Sequence, residues 1–307
     1  MRRVYYLLAI FAVLLFPRNV QAAALNGDQN GNTEPEFRFE EWPSGEYYIS
    51  GLVDESFSGH LIIPESFTDE TGTHQIVWIG ALAFSECSGI TSVTIPTSIE
   101  TIRDRAFYGC ANLSDFNIQK SVDWIGSEAF NNTAWFNSQQ DGLVYKDKVL
   151  LGYKGQSPTG EIEITSGTRV VAAGALRYAM EVTSVNIPNT VTDICNTAFF
   201  NSGLTTLYIP SSVASLGYQA FEANQDLATI TVDPGNSVFD SRDNCNAIIE
   251  KATNTLILGC QNTVIPSTVT TIGEGAFYTC RNLHSIEIPA SITSIGMRTF
   301  NRCASSG

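Results

Sequence analysis

Apolar and polar positions recur along this chain in one repeating phrase. "ITSVTIP" (90–96) alternates apolar with polar residues, which predicts a short strand with Val93 and Ile95 facing inward. The closing proline removes a ladder donor and ends the strand. "SIETIRDRAF" (98–107) then turns the chain and returns Ile99, Ile102, Ala106 and Phe107 to the same core. Gly80, Gly126, Gly217, Gly273 and Gly296 each follow an inward Ile or Leu, where a tight bend is expected. A short helical turn is expected to carry the "AF" phrase.

The phrase has a fixed period. Phe84, Phe107, Phe130, Phe199, Phe221, Phe277 and Phe300 share one slot, which Leu176 also fills, and most spacings are 23 residues. Prolines of "IP" at Pro96, Pro188, Pro210, Pro266 and Pro289 each lie 11 residues before an anchor. Pro64 breaks the rule because "TDETGTHQI" lengthens its coil, and Gln119 and Thr165 take the proline slot elsewhere. Two anchors in one phase predict a solenoid, because a single coil cannot bury its own apolar face and must stack on the next.

The pattern I/L-x-x-V/I-x-I-P-x-S/T-V/I-x-x-I-G-x-x-A-F-x-x-C resembles the BspA-like branch of the leucine-rich repeats. "FSGHLIIPESFTDETGTHQIVWIGALAF" is similar to an opening coil of that group, and "DSRDNCNAIIEKATNTLILGCQNTVIP" to a hairpin-bearing coil of its bacterial members. The resemblance covers about residues 37 to 303. It implies a leucine-rich repeat solenoid of the α/β repeat class, β-rich, with one short strand and a short helical turn per coil. It also implies an exported or surface protein linked to adhesion. It carries no catalytic residue over.

Four segments are expected. Residues 1–24 read as a secretory signal peptide: Arg2 and Arg3, an apolar run from Tyr5 to Phe16, then small residues at Ala22 to Ala24. Residues 25–36 read as a flexible linker, 37–63 as an N-terminal β cap, and 64–307 as the repeats, with the last coil incomplete. "GLVYKDKVLLGY" and "NAIIEKATNTLILGC" read as hairpins that enlarge two coils. No later stretch is apolar enough to span a bilayer, so the mature chain is expected to be secreted or at the cell surface.

Charge narrows the partners. The formal net charge is −14, and loss of Arg2, Arg3 and Arg18 with the signal makes it three units more negative. Phosphate recognition needs a basic footprint, so nucleic acid is excluded. The three histidines, His60, His74 and His284, have no metal-ligand spacing, and no nucleophile or phosphate-loop motif occurs. No metal, cofactor or catalytic residue is expected. Glu161 and Glu163 share a strand face about 7 Å apart, a glycosidase-like separation, yet solvated carboxylates fit them better.

Seven cysteines remain. Cys87, Cys110, Cys280 and Cys303 fill the slot three residues after the anchor, which Thr133, Ala179, Ser202 and Asn224 fill elsewhere. They read as a buried ladder, with bridges Cys87–Cys110 and Cys280–Cys303 as the sharper alternative. Cys245 and Cys260 are the better candidate disulfide, set opposite each other by a hairpin. The outward strand positions form the candidate binding face: Thr94, Asn117, Glu161, Glu163, Asn186, Tyr208, Thr231 and Glu287, backed by Ser184, Thr206 and Thr229. The expected activity is binding of a protein, either a host extracellular-matrix protein or another surface protein, in the manner of an adhesin. A carbohydrate-capture module and a structural scaffold stay open as alternatives.

Overall fold

The computed structural model describes residues 20–21 and 35–303. The signal peptide over 1–24 and the linker over 25–36 lie outside the described residues, apart from their last or near-last pairs. The chain divides into two compact units, residues 1–138 and 139–307. Each is a β-solenoid of coils about 23 residues apart.

In the first unit Phe37–Glu41 pairs antiparallel with Tyr47–Leu52. Two parallel ladders then run along the stack. The sheet ladder joins Gly59–Ile62, Ile90–Thr94 and Asp115–Phe116. The edge ladder joins Tyr47–Leu52, Gly72–Ile79, Thr101–Ile102 and Trp124–Ile125. Each coil therefore carries two strands where one was expected, because the "TI" after the proline also pairs. "TDETGTHQI" forms a hairpin, Ser66–Asp69 against Gly72–Ile79. Ala134–Ser138 is a one-turn helix whose Phe136 N–H bonds to the Thr133 hydroxyl at 3.0 Å.

The second unit contains both expected hairpins, Gly142–Lys146 with Val149–Lys154 and Ala247–Glu250 with Thr255–Gly259. Asp147 and Lys148 turn the first with φ of 46° and 67°. Each hairpin hands its second strand to an edge ladder: Val149–Lys154 to Val170–Val171, Asp193–Ile194 and Ser215–Leu216, and Thr255–Gly259 to Thr271–Ile272 and Ser294–Ile295. The sheet ladder consists of Thr159–Glu163 paired with Glu181–Asn186, and Thr206–Ile209 paired with Thr229–Val232. Thr205 N–H bonds to Thr183 O at 2.9 Å between the two pairs.

The "AF" phrase is not helical. Leu82, Phe84 and Glu86 donate their N–H groups to Asp104, Ala106 and Tyr108 of the next coil at 3.0, 2.8 and 2.7 Å. Between them, Ala83, Ser85 and Cys87 close turns onto Gly80, Leu82 and Phe84. Gly174, Leu176 and Tyr178 repeat the scheme onto Asn196, Ala198 and Phe200 in the second unit. A helix would spend every N–H within itself and stand about 10 Å from its neighbour. Alternating turns free every second N–H and keep coils at about 4.8 Å, the strand spacing. Each such turn needs two left-handed residues four apart, such as Leu82 and Glu86, Arg105 and Gly109, or Thr197 and Asn201.

The glycines after the inward Ile or Leu serve close approach. None adopts the left-handed conformation a bend would have required. A Cβ on Gly126 would lie 2.2 Å from Asp104 N, and one on Gly217 2.3 Å from Asn196 N. The anchors fill the core as rings in register. Phe84–Phe107 and Phe107–Phe130 stack at 5.1 and 5.2 Å, Phe199–Phe221 at 5.0 Å and Phe277–Phe300 at 5.3 Å.

The slot three residues after the anchor has a definite task. In four coils its side chain donates to the anchor carbonyl of the coil before, whereas Thr133 donates to Phe130 O of its own coil at 2.9 Å and Ala179 has no donor. Cys110 Sγ reaches Phe84 O at 2.9 Å, Ser202 Oγ reaches Leu176 O at 2.7 Å, and Asn224 Nδ2 reaches Phe199 O at 3.0 Å. Cys303 Sγ reaches Phe277 O at 2.8 Å. Cys, Ser and Asn alternate here because each is a small donor. Ser114, Thr192, Ser212 and Thr293 likewise donate backward, to Thr91, Arg169, Val191 and Thr270 carbonyls.

No disulfide joins any of the cysteines among the described residues, so the expected bridges are not formed. Cys245 and Cys260 are not partners. Strand pairing sets Ala247 opposite Gly259, and the two sulfurs enter different core clusters, Cys245 beside Ile272 and Phe277, Cys260 with Leu227 and Ile230. Burial pushes the Cys245 thiol up to about 11 and the Cys110 thiol up to about 12, so both stay protonated.

One buried acid is under tension. Glu222, 6% exposed, accepts a hydrogen bond from Gln219 Nε2 at 2.8 Å. Burial raises its carboxyl to about 7, while the Gln219 bond and the Arg298 charge pull it down and Glu274 pushes it up. Its folded value exceeds the ordinary 4.5. The neutral form therefore favours the fold, and stability falls as pH rises from 4.5 to about 7. Glu222→Gln is expected to flatten that slope in thermal melts and to stabilise the protein above pH 7 by up to about 3 kcal/mol. Asn224 also accepts the N–H groups of Ser202 and Leu204 at 3.0 Å each. Asn224→Ala orphans these buried groups and is expected to cost about 1–3 kcal/mol in urea unfolding, more than Cys110→Ala.

Candidate functional site

Alternation along the sheet ladder points every second side chain to solvent. In the second unit this brings four of the expected residues, Glu161, Asn186, Tyr208 and Thr231, to one shallow depression of about 510 Å³. Ser184, Thr206 and Thr229 complete its polar lining, with Val185 and Leu207 at its floor. The depression is open to solvent and lies within the parallel strands.

Strand register explains the arrangement. Glu163 stands opposite Asn186, and Tyr208 opposite Thr231. Asn186 Nδ2 donates to both Glu163 oxygens, at 3.0 and 2.8 Å. The Glu161–Glu163 pair is thereby divided: Glu163 is engaged by an amide, and Glu161 lines the open depression. Tyr208, 45% exposed, donates its O–H to Asp233 Oδ2 at 2.5 Å. That bond raises the Tyr208 phenol, and together with the Gly235 N–H it lowers the Asp233 carboxyl. It also fixes the ring across the sheet. Asp233 escaped the sequence reading because it follows the strand instead of lying on it.

The remaining expected residues are placed elsewhere. In the first unit Thr94 Oγ1 and Ser92 Oγ lie 3.1 and 2.6 Å from the two ring nitrogens of His60. His60 is thus an outward sheet residue that the alternation around "GHLIIP" could have revealed. Asn117 turns along the ladder: its Oδ1 accepts from Ile95 N–H and its Nδ2 donates to Ile95 O, both at 2.9 Å. Its amide stands in for a peptide unit, extending a ladder whose last strand, Asp115–Phe116, has only two residues. Glu287 is exposed, but residues 283–289 form no strand, so it joins no sheet face. Among the described residues no cluster of metal-ligating side chains occurs, and no helix is long and apolar enough to cross a membrane.

Comparison with known proteins adds the following. A family model described as BspA type leucine rich repeat region matches in six copies, over residues 64–139, 153–258 and 248–306. A leucine rich cell surface protein from Faecalibacterium prausnitzii is 25% identical, covering 85% of this chain and 70% of its own, with a TM-score of 0.42. The pneumococcal vaccine antigen PcpA is 17% identical over 92% of this chain and 68% of its own, with a TM-score of 0.44. A leucine-rich repeat protein from Bacteroides ovatus is 19% identical over 90% and 80%, with a TM-score of 0.35. No protein of curated function matches the chain.

The two kinds of outward residue are expected to separate in stability measurements. Asn117→Ala strands the Ile95 N–H, while Ile95 O keeps Gln119 Nε2 at 3.1 Å, and should cost about 1 kcal/mol. Tyr208→Ala removes an exposed ring and should change stability by less than about 0.5 kcal/mol. Chemical denaturation of both variants checks this.

Proposed function

The chain belongs to the BspA-type leucine-rich repeat family, and from that premise we propose that it is an exported protein acting at the cell surface as a protein-binding, adhesin-like module. The observation that carries this reading is the depression on the second unit's sheet. Glu161, Ser184, Thr206, Thr229 and Thr231 line it with polar groups that make no side-chain hydrogen bond among the described residues. The backbone that positions them is held by strand pairing, Thr159–Glu163 with Glu181–Asn186 and Thr206–Ile209 with Thr229–Val232, so a ligand finds them already in place. The ligand is a surface-exposed protein, such as an extracellular-matrix component or another surface protein.

A second reading is carbohydrate capture. Tyr208 favours it, because the exposed ring lies among free hydroxyls and beside the Asn186 amide, groups suited to stacking and hydrogen-bonding a sugar.

Parallel arrays of extracellular-matrix proteins and glycans, probed with the full chain, test both. Saturable binding to a protein, weakened at least tenfold by Tyr208→Ala with Glu161→Gln, is the expected result. Binding to glycans alone would replace the first reading with the second. Silence on both arrays would sink both.

A further inference from the structure

The turn ladder of the second unit exposes a different surface. The Arg177 guanidinium carbon lies 4.6 Å from the Tyr178 ring centre and 5.6 Å from that of Phe200. The two rings meet edge to face at 5.9 Å, and Arg177 Nη2 donates to the Tyr178 hydroxyl oxygen at 2.8 Å. Tyr178 is 52% exposed and Met180, beside it, 65%. Tyr178 also has a φ of +65°, which is costly for a bulky side chain. Other coils place Glu86, Gly109, Asn132, Asn201, Ala223, Thr279 or Arg302 at this slot, none of them aromatic.

Charge distinguishes this arginine from the other ring-stacked arginines of the turn ladders, Arg105 and Arg298. On the turn ladders Arg105 is paired with Glu128 at 2.6 Å and Arg298 with Glu274 at 3.0 Å. Arg177 has no carboxylate partner among the described residues. It is an unneutralised cation, held flat on two rings, in a chain of net charge −14. Arg103 makes a similar stack on Trp42 and Trp78, at 5.1 and 5.2 Å, but Trp78 is 7% exposed, so that stack is internal packing.

We propose that Arg177, Tyr178, Met180 and Phe200 form a docking site for a partner-protein segment that presents a carboxylate beside an apolar side chain. The guanidinium fork matches a carboxylate in two parallel hydrogen bonds, and the rings hold it ready. Met180 and Tyr178 supply adaptable apolar contact. Arg, Tyr and Met are the residue types enriched at the centres of protein interfaces. In a chain of net charge −14 an unneutralised guanidinium beside apolar side chains favours such a segment over a neutral one. The site is independent of the sheet depression and survives its failure.

Panning a random peptide library on the full chain tests the proposal. Enriched peptides should pair Asp or Glu with an adjacent Leu, Met or aromatic residue. A synthetic peptide of that kind should bind at least tenfold more weakly to Arg177→Ala and Arg177→Lys, and several-fold more weakly to Met180→Ala, with Tyr208→Ala unchanged. Replacing the peptide's own acid by its amide should lose the same tenfold, a check that involves no change in the protein. No enrichment, enrichment of peptides without acids, or affinity indifferent to Arg177 would overturn it.

Discussion

Hydrogen bonds between successive coils hold this structure at a single spacing, and everything else is fitted to it. Sheet ladder, edge ladder and turn ladder all impose about 4.8 Å. A coil therefore cannot carry a helix on its turn side, and the left-handed pairs such as Thr197 and Asn201 are the local consequence. The anchor rings stack at 5.0 to 5.3 Å because the backbone sets them there. Where successive backbones approach closely, Gly126 and Gly217 have no room for a side chain.

The period was legible because stacking requires each coil to repeat its inward shape. The two enlarged coils were legible from apolar runs around polar turns. What the sequence concealed were features decided by the neighbouring coil. The second strand of the regular coils, such as Thr101–Ile102, is two residues long and carries no pattern of its own. Alternation placed Asn117 outward, and only the ladder's need for one more peptide-like pair turned its amide onto Ile95. Cys245 and Cys260 lie close along the hairpin, yet their sulfurs enter different clusters.

Glu161, Asn186, Tyr208 and Thr231 were marked by strand period alone and share one depression. Tyr178 and Met180 were invisible as a surface, since the "AF" phrase was expected to be a helical turn with its own geometry. The sheet presents small hydroxyls and acids, whereas this part of the turn ladder presents a cation, rings and a thioether. The two sides of a coil are thus chemically unlike, although both repeat at the same interval.

Donors cross between coils in both directions. Cys110, Ser114, Ser202 and Asn224 each satisfy a carbonyl belonging to the coil before them. Leu82, Phe84 and Glu86 instead give their N–H groups to carbonyls of the coil after. An interior coil therefore leaves polar groups unanswered if either neighbour is missing. Stability is thus shared along the stack instead of residing in any one coil.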